Sequence, residues 1–170
     1  MIKAVIFDLD GTLIHLPVDY EKLFRKFREI LKTEKVRPVT KTLTSLDEET
    51  RKKLFEEWDK AELEALPKIR KNENGLRLYQ EYSSTPKALV TMQGNVVLKK
   101  ILKTLKLSFK VTVTREYSLD RIEQLKEAAE KLGVETFEDI LFVGDTNNDR
   151  EAAEKLGCQF LKVKSNENMV

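Results

Sequence analysis

One cysteine and one histidine are present among 170 residues. Cys158 therefore has no partner for an internal disulfide or a cysteine-bound zinc, which fits a reducing compartment, and it reads as a small core residue. Long apolar runs are also missing. The run Ala4 to Phe7 is far too short for a secretory leader or a membrane span, and no other stretch approaches span length, so a cytoplasmic protein is expected. Charge of one sign is lacking too: a net +2 gives no field that would draw nucleic acid or an anionic membrane, and neither partner is expected. Lys99, Lys100, Lys103 and Lys106 alternate with Leu98, Ile101, Leu102 and Leu105 as on the wet face of an amphipathic helix. No glycine-rich phosphate loop ending in lysine, dinucleotide fingerprint, internal repeat or low-complexity stretch occurs. What remains, 41% hydrophobic and 35% charged residues, is globular in composition, and the length suits one core with a modest insertion.

Two periodicities divide the chain. Short apolar runs at Ala4 to Phe7, Ala88 to Val90, around Val111 and Val113, at Ile140 to Val143 and at Phe160 to Val163 read as strands. From Ala88 onward helical stripes alternate with them: Leu98 to Leu105, then Ile122, Leu125, Ala129 and Leu132 stopped by Gly133, then Arg150 to Leu156 stopped by Gly157. That alternation predicts a three-layer, doubly wound parallel sheet of α/β class. Between the first two strands, residues 15–84 show only helical periodicity. Tyr20 to Leu31 forms one apolar face, Pro38 and a Thr-rich stretch break the chain, and Ser45 with Glu48 reads as a capping box ahead of Leu54, Phe55 and Trp58. A further helix is expected around Leu76, Tyr79 and Tyr82, and the tail 165–170 is expected to be loose. Trp58 and the neighbouring aromatics read as packing residues.

The candidate chemistry lies at strand ends. The first strand delivers Asp8 and Asp10, followed by Gly11 and Thr12. Functional groups of an open parallel sheet gather past the carboxyl ends of its strands. Two acids at i and i+2 of an extended chain point the same way, and held together they raise one pKa unless a cation intervenes. The fourth apolar run ends in Gly144, Asp145, Thr146 and then Asp149, oxygen donors suited to Mg²⁺. The second ends in Thr91, followed by Met92, Gln93 and Gly94 at the start of a helix, where a hydroxyl and free N–H groups suit phosphate oxygens. A calcium-binding EF-hand is excluded at either acidic stretch. Counting from Asp8, its sixth and twelfth positions hold Leu13 and Asp19, and from Asp145 they hold Arg150 and Leu156.

These motifs, in this order over nearly the whole chain, resemble the haloacid dehalogenase superfamily on its phosphatase branch, in the manner of phosphoglycolate phosphatases. The insertion falls where that family carries a small helical cap of its first type. The resemblance implies a Rossmann-like core over 1–14 and 85–170 and a cap over 15–84. It implies Asp8 as nucleophile, Asp10 as general acid and base, and Mg²⁺ held by Asp8, the Asp10 carbonyl and Asp145, with Asp149 in support. It also places the phosphoryl group among Gly11, Thr12, Thr91 and Met92. Dehalogenases of the superfamily lack the second acid, so Asp10 favours phosphoryl transfer. The Lys-Pro that related phosphatases carry before the fourth strand is missing: Arg115 to Arg121 stands there instead, and Arg121 is the candidate cation for catalysis and phosphate binding, with Lys126 and Arg115 as alternatives. His15 is expected at the hinge into the cap. The implied substrate is a small phosphorylated metabolite. A phosphomutase and a catalytically weak metal-binding regulatory module remain as competing readings, and the sequence leaves a monomer and a homodimer equally open.

Overall fold

Ala4–Asp8 forms β1, and all five of its residues are buried, as an unbroken apolar run demands of a strand covered on both faces. A computed structural model describes residues 1–164 of the chain; the tail 165–170, expected to be loose, lies outside the described residues. After β1 come β2 (Ile14–His15), α1 (Tyr20–Leu31), α2 (Val39–Thr44), α3 (Glu48–Ala65), β3 (Arg70–Lys71) and α4 (Glu73–Glu81). The alternating half follows: β4 (Lys87–Val90), α5 (Asn95–Leu105), β5 (Val111–Val113), α6 (Arg121–Leu132), β6 (Ile140–Gly144), α7 (Asn147–Leu156) and β7 (Gln159–Lys162).

The five long strands form a parallel sheet in the order β5-β4-β1-β6-β7, with Ile6 of β1 opposite Ala88 on one side and Phe142 on the other. Alternation along the strands sorts the core. Val5, Phe7, Leu89, Leu141 and Val143 pack with Val97, Leu98 and Ile101 of α5. Ala4, Ile6, Ala88, Val90 and Phe142 pack with Leu125 and Ala128 of α6, Ala152 and Ala153 of α7, and Cys158. Each fully buried Leu, Ile or Phe contributes roughly 1.5–3 kcal/mol. Cys158 is buried, and burial pushes its thiol up to about 11. The α4 helix joins the first of these faces, its Tyr79 ring standing edge-on to Phe7 and Phe109 at 6.2 and 5.5 Å. On the outer side of α5, Lys99, Lys100 and Lys103 are exposed as expected. Among the described residues no helix is long and apolar enough to cross a membrane.

Several local expectations need correcting. The helix after Ser45 is not opened by a Ser45–Glu48 box: Asp47 is the cap, accepting the Thr50 N–H at 3.1 Å, while Ser45 ends the preceding helix with its hydroxyl on Thr42 O. The Thr-rich stretch after Pro38 is helical, because Pro38 sits at the start of α2 and Thr42 and Thr44 bond back to the carbonyls four residues earlier. Residues 15–84 are not purely helical either, since β2 and β3 pair antiparallel, His15 with Arg70 and Ile14 with Lys71. Two-residue strands carry no readable period. The α7 helix starts three residues before the predicted Arg150, through a capping box of Thr146 and Asp149. Trp58 packs edge-on to Phe27 at 6.2 Å, joining α1 to α3, and also carries the Arg115 guanidinium 4.4 Å over its ring.

Candidate active site

Asp8 is the last residue of β1 and only 5% exposed. Beyond it the chain turns tightly, with the N–H groups of Thr12, Leu13 and Ile14 all donating to Leu9 O and Gly11 N–H donating to Ile14 O at 2.7 Å. Gly11 takes φ +87°, and a Cβ there would stand 2.1 Å from Asp145 Oδ2, so glycine is required by both conformation and space. This turn brings the ends of β1 and β6 together. The Thr12 hydroxyl, fully buried, stands 3.4 Å from both Asp8 Oδ2 and Asp145 Oδ1 and shares its one hydrogen between them.

Carboxylate oxygens of Asp8, Asp145 and Asp149 lie within 4.8 Å of one another. Arg121 enters from the first turn of α6: its Nη2 is 3.2 Å from Asp8 Oδ1, its Nε 3.1 Å from Asp149 Oδ1, and its Nη1 donates to Gln124 Oε1 at 2.7 Å. Asp149 accepts the Asp145 and Thr146 N–H groups with its other oxygen, so both its oxygens are engaged. Burial raises the Asp8 carboxyl well above the ordinary range; Arg121 opposes this, while Asp149 and Asp145 add to it. Burial likewise raises Asp145. Three facing acids with one guanidinium leave excess negative charge on oxygen-only donors, which is the chemistry that fits a hard divalent cation.

Asp10 points elsewhere. Its carboxylate accepts the Leu16 N–H at 3.0 Å and the Gln93 side-chain amide at 3.4 Å, with His15 Nδ1 3.8 Å away, and burial is the largest cause of its raised pKa. The Asp10 side chain is thus outside the acidic triad, and His15 stands on the β2–β3 ribbon leading to the helical segment. Thr91 ends β4, fully buried, with its hydroxyl donating to the Gln93 side-chain carbonyl and accepting the Gln93 N–H at 3.1 Å.

The groups expected to bind phosphate have these partners in the structure. Gly11 N–H is committed to Ile14 O, Thr12 bridges two acids, and Met92 O accepts from Arg115 at 3.1 Å. The N–H groups opening α5 are taken by carboxylates: Gly94 N by Glu62 at 3.2 Å and Asn95 N by Glu116 at 3.1 Å. Arg115 turns into a pair with Glu62, and Lys126 is exposed beside Glu123, so neither alternative cation reaches Asp8. Two residues that the sequence reading did not single out take part. Gln124, fully buried, ties Arg121 to Thr91 O and Ser118 O, both at 2.9 Å; its signal is a glutamine one turn after Arg121 on the face that carries Leu125 and Ala128. Gln93, which links Thr91 to Asp10, has no pattern that marks it. Beside Arg121 opens a cavity of about 610 Å³, whose lining includes Pro38, Lys41, Ser45, Ile122, Asn148 and Glu151.

A five-stranded parallel sheet with acids gathered past the carboxyl ends of β1 and β6 defines an α/β protein with a polar centre at the sheet edge. The family model for haloacid dehalogenase-like hydrolases matches residues 5–163, and the chain belongs to that family. Its fold is shared with a subfamily IA hydrolase of the superfamily from Geobacter sulfurreducens, at 20% identity and TM-score 0.65 over 95% of this chain and 89% of that one. A superfamily enzyme from Bacteroides thetaiotaomicron, solved with magnesium and inorganic phosphate, is 17% identical with TM-score 0.64 over 98% of this chain and 96% of that one. A predicted phosphatase from Clostridium acetobutylicum is 21% identical with TM-score 0.67 over 99% and 89%. No curated protein matches the chain in sequence.

Proposed function

We propose that this hydrolase is a Mg²⁺-dependent phosphatase of small phosphorylated metabolites, working in the cytoplasm through a phosphoryl group carried on Asp8. The observation that carries the reading is the Asp8 carboxylate held between Arg121 and the Asp145–Asp149 pair at the end of a buried strand. Asp8 Oδ forms the new bond to phosphorus as the ester oxygen leaves, and Asp10 gives that oxygen its proton. Asp10, now ionised, takes a proton from the water that attacks the aspartyl phosphate, which releases phosphate and restores Asp8. Arg121 balances charge on the transferring group. Magnesium would be held by the Asp8 and Asp145 carboxylates and the Asp10 carbonyl, with Asp149 steadying Asp145, and it would supply the positive charge that these acids lack. Residues 15–84 act as the cap, and the cavity beside Arg121 is of a size to take the substrate beyond its phosphate.

A panel of phosphorylated metabolites incubated with Mg²⁺ tests the reading. At least one ester should release free phosphate stoichiometrically, with EDTA abolishing the release. Transfer of the group between two positions of a sugar without phosphate release would point to a mutase, and no turnover on any ester would contradict the enzyme reading.

A further inference from the structure

Arg115 is among the largest side chains to be wholly buried, and its partner Glu62 is also fully buried. They come from elements far apart in the sequence: Glu62 from α3, Arg115 from the loop after β5. Arg115 Nη1 donates to Glu62 Oε1 at 2.8 Å, the other terminal nitrogen reaches Asp59, and the guanidinium lies over Trp58 and Phe55. A buried ion pair is a poor way to hold two elements together, because apolar residues of equal volume do so at least as well.

What the pair does hold is the loop after β4. Arg115 Nη1 also donates to Met92 O at 3.1 Å, the Arg115 backbone N–H donates to Gln93 O at 3.4 Å, and Glu62 Oε1 accepts the Gly94 N–H at 3.2 Å. Three consecutive loop residues are therefore fixed by one pair. A Cβ on Gly94 would meet Asp59 Oδ1 at 2.4 Å and Arg115 Nη2 at 2.7 Å, so the acids and the guanidinium close on bare backbone. The residue in the middle of this loop, Gln93, contacts both Asp10 and Thr91.

We propose that Arg115 and Glu62 are positioning residues: through the 92–94 loop they set Gln93, and through Gln93 they orient Asp10 and Thr91 when α3 is docked. The inference rests on the phosphatase reading only for its kinetic consequence. Full-length protein with Mg²⁺ and p-nitrophenyl phosphate as the probe gives the test. The double variant Arg115→Met/Glu62→Leu removes both charges without stranding either one, whereas Glu62→Gln keeps the oxygen that accepts from Gly94 N. The double variant should lose about 10- to 100-fold in kcat with KM nearly unchanged, and the single variant Glu62→Gln should retain most of the wild-type kcat. The Gln93 side-chain amide resonances should shift in the double variant and stay near their wild-type positions in Glu62→Gln. Wild-type kcat in the folded double variant would overturn the proposal and reduce the pair to holding α3. Should the double variant not fold, Arg115→Lys, which keeps the charge and loses the fork, decides by the same split of kcat against KM. If wild type shows no turnover, the function reading fails by itself, and the Gln93 resonances decide the positioning: unshifted signals overturn it, shifted signals support it.

Discussion

Arg121 Nη2 stands 3.2 Å from Asp8 Oδ1 although the two residues are 113 positions apart and Arg121 occupies the first position of α6. A cation there faces the positive pole of its own helix. Asp8, Asp149 and Gln124 compensate by engaging Nη2, Nε and Nη1 in turn. Among the described residues Arg121 is the cation paired with Asp8.

Replacing Arg121 should therefore damage the reaction more than the fold. Arg121→Ala is expected to lower kcat by roughly 100-fold or more, as loss of a preorganised charge partner does, with Arg121→Lys intermediate because the fork is lost. Lys126→Ala, at an exposed residue beside Glu123, should match wild type. Equal losses for Arg121→Ala and Lys126→Ala in steady-state kinetics would remove Arg121 from its role.

The excess of carboxylates predicts cation-dependent stability. Mg²⁺ at about 100 times its Kd should add roughly 2.7 kcal/mol to the folded state, read as a rise in Tm. Asp145→Asn, which leaves Asp8 paired with Arg121 but deletes one charge of the triad, should abolish most of that rise. An equal rise in both proteins would place the cation elsewhere.

Glu62 supplies a pH prediction with a definite sign. Burial raises its carboxyl from 4.5 to about 7, with Arg115 and the Gly94 N–H pulling the other way and losing. The folded protein thus holds this proton more tightly than the unfolded chain. Stability is lost as pH rises from about 4.5 to about 7 and stays lower above that window, by roughly 3 kcal/mol at most. Glu62→Gln lacks this slope, so its stability relative to wild type should increase between pH 5 and 8 in denaturant titrations. A difference that is flat across that range would contradict the burial argument.

Much of the fold was readable because apolar runs and helical stripes are local: β1, β4 and β6 with the acids or hydroxyl at their ends, and the stops at Gly133 and Gly157, all follow from neighbouring residues. The convergence of Asp8 and Asp145 could be expected because strand ends in a parallel sheet share one edge, whereas Arg121, the first residue of a helix, was a candidate only through the family resemblance. What escaped depends on distant contacts. Glu62 reaches Gly94 across 32 positions and Gln93 reaches Asp10 across 83, and neither leaves a period or spacing to read. The helix start at Asp47 escaped for a different reason, since Ser45 two residues earlier offers an equally good capping side chain and only the backbone decides between them.

The central claim, that Asp8 carries the phosphoryl group, is tested most directly by acid quench during turnover with Mg²⁺ and a productive ester, followed by mass spectrometry of the peptide containing Asp8. A phosphoryl adduct on Asp8 in wild type, absent together with turnover in Asp8→Asn, is the predicted result. Undiminished hydrolysis by Asp8→Asn would contradict it.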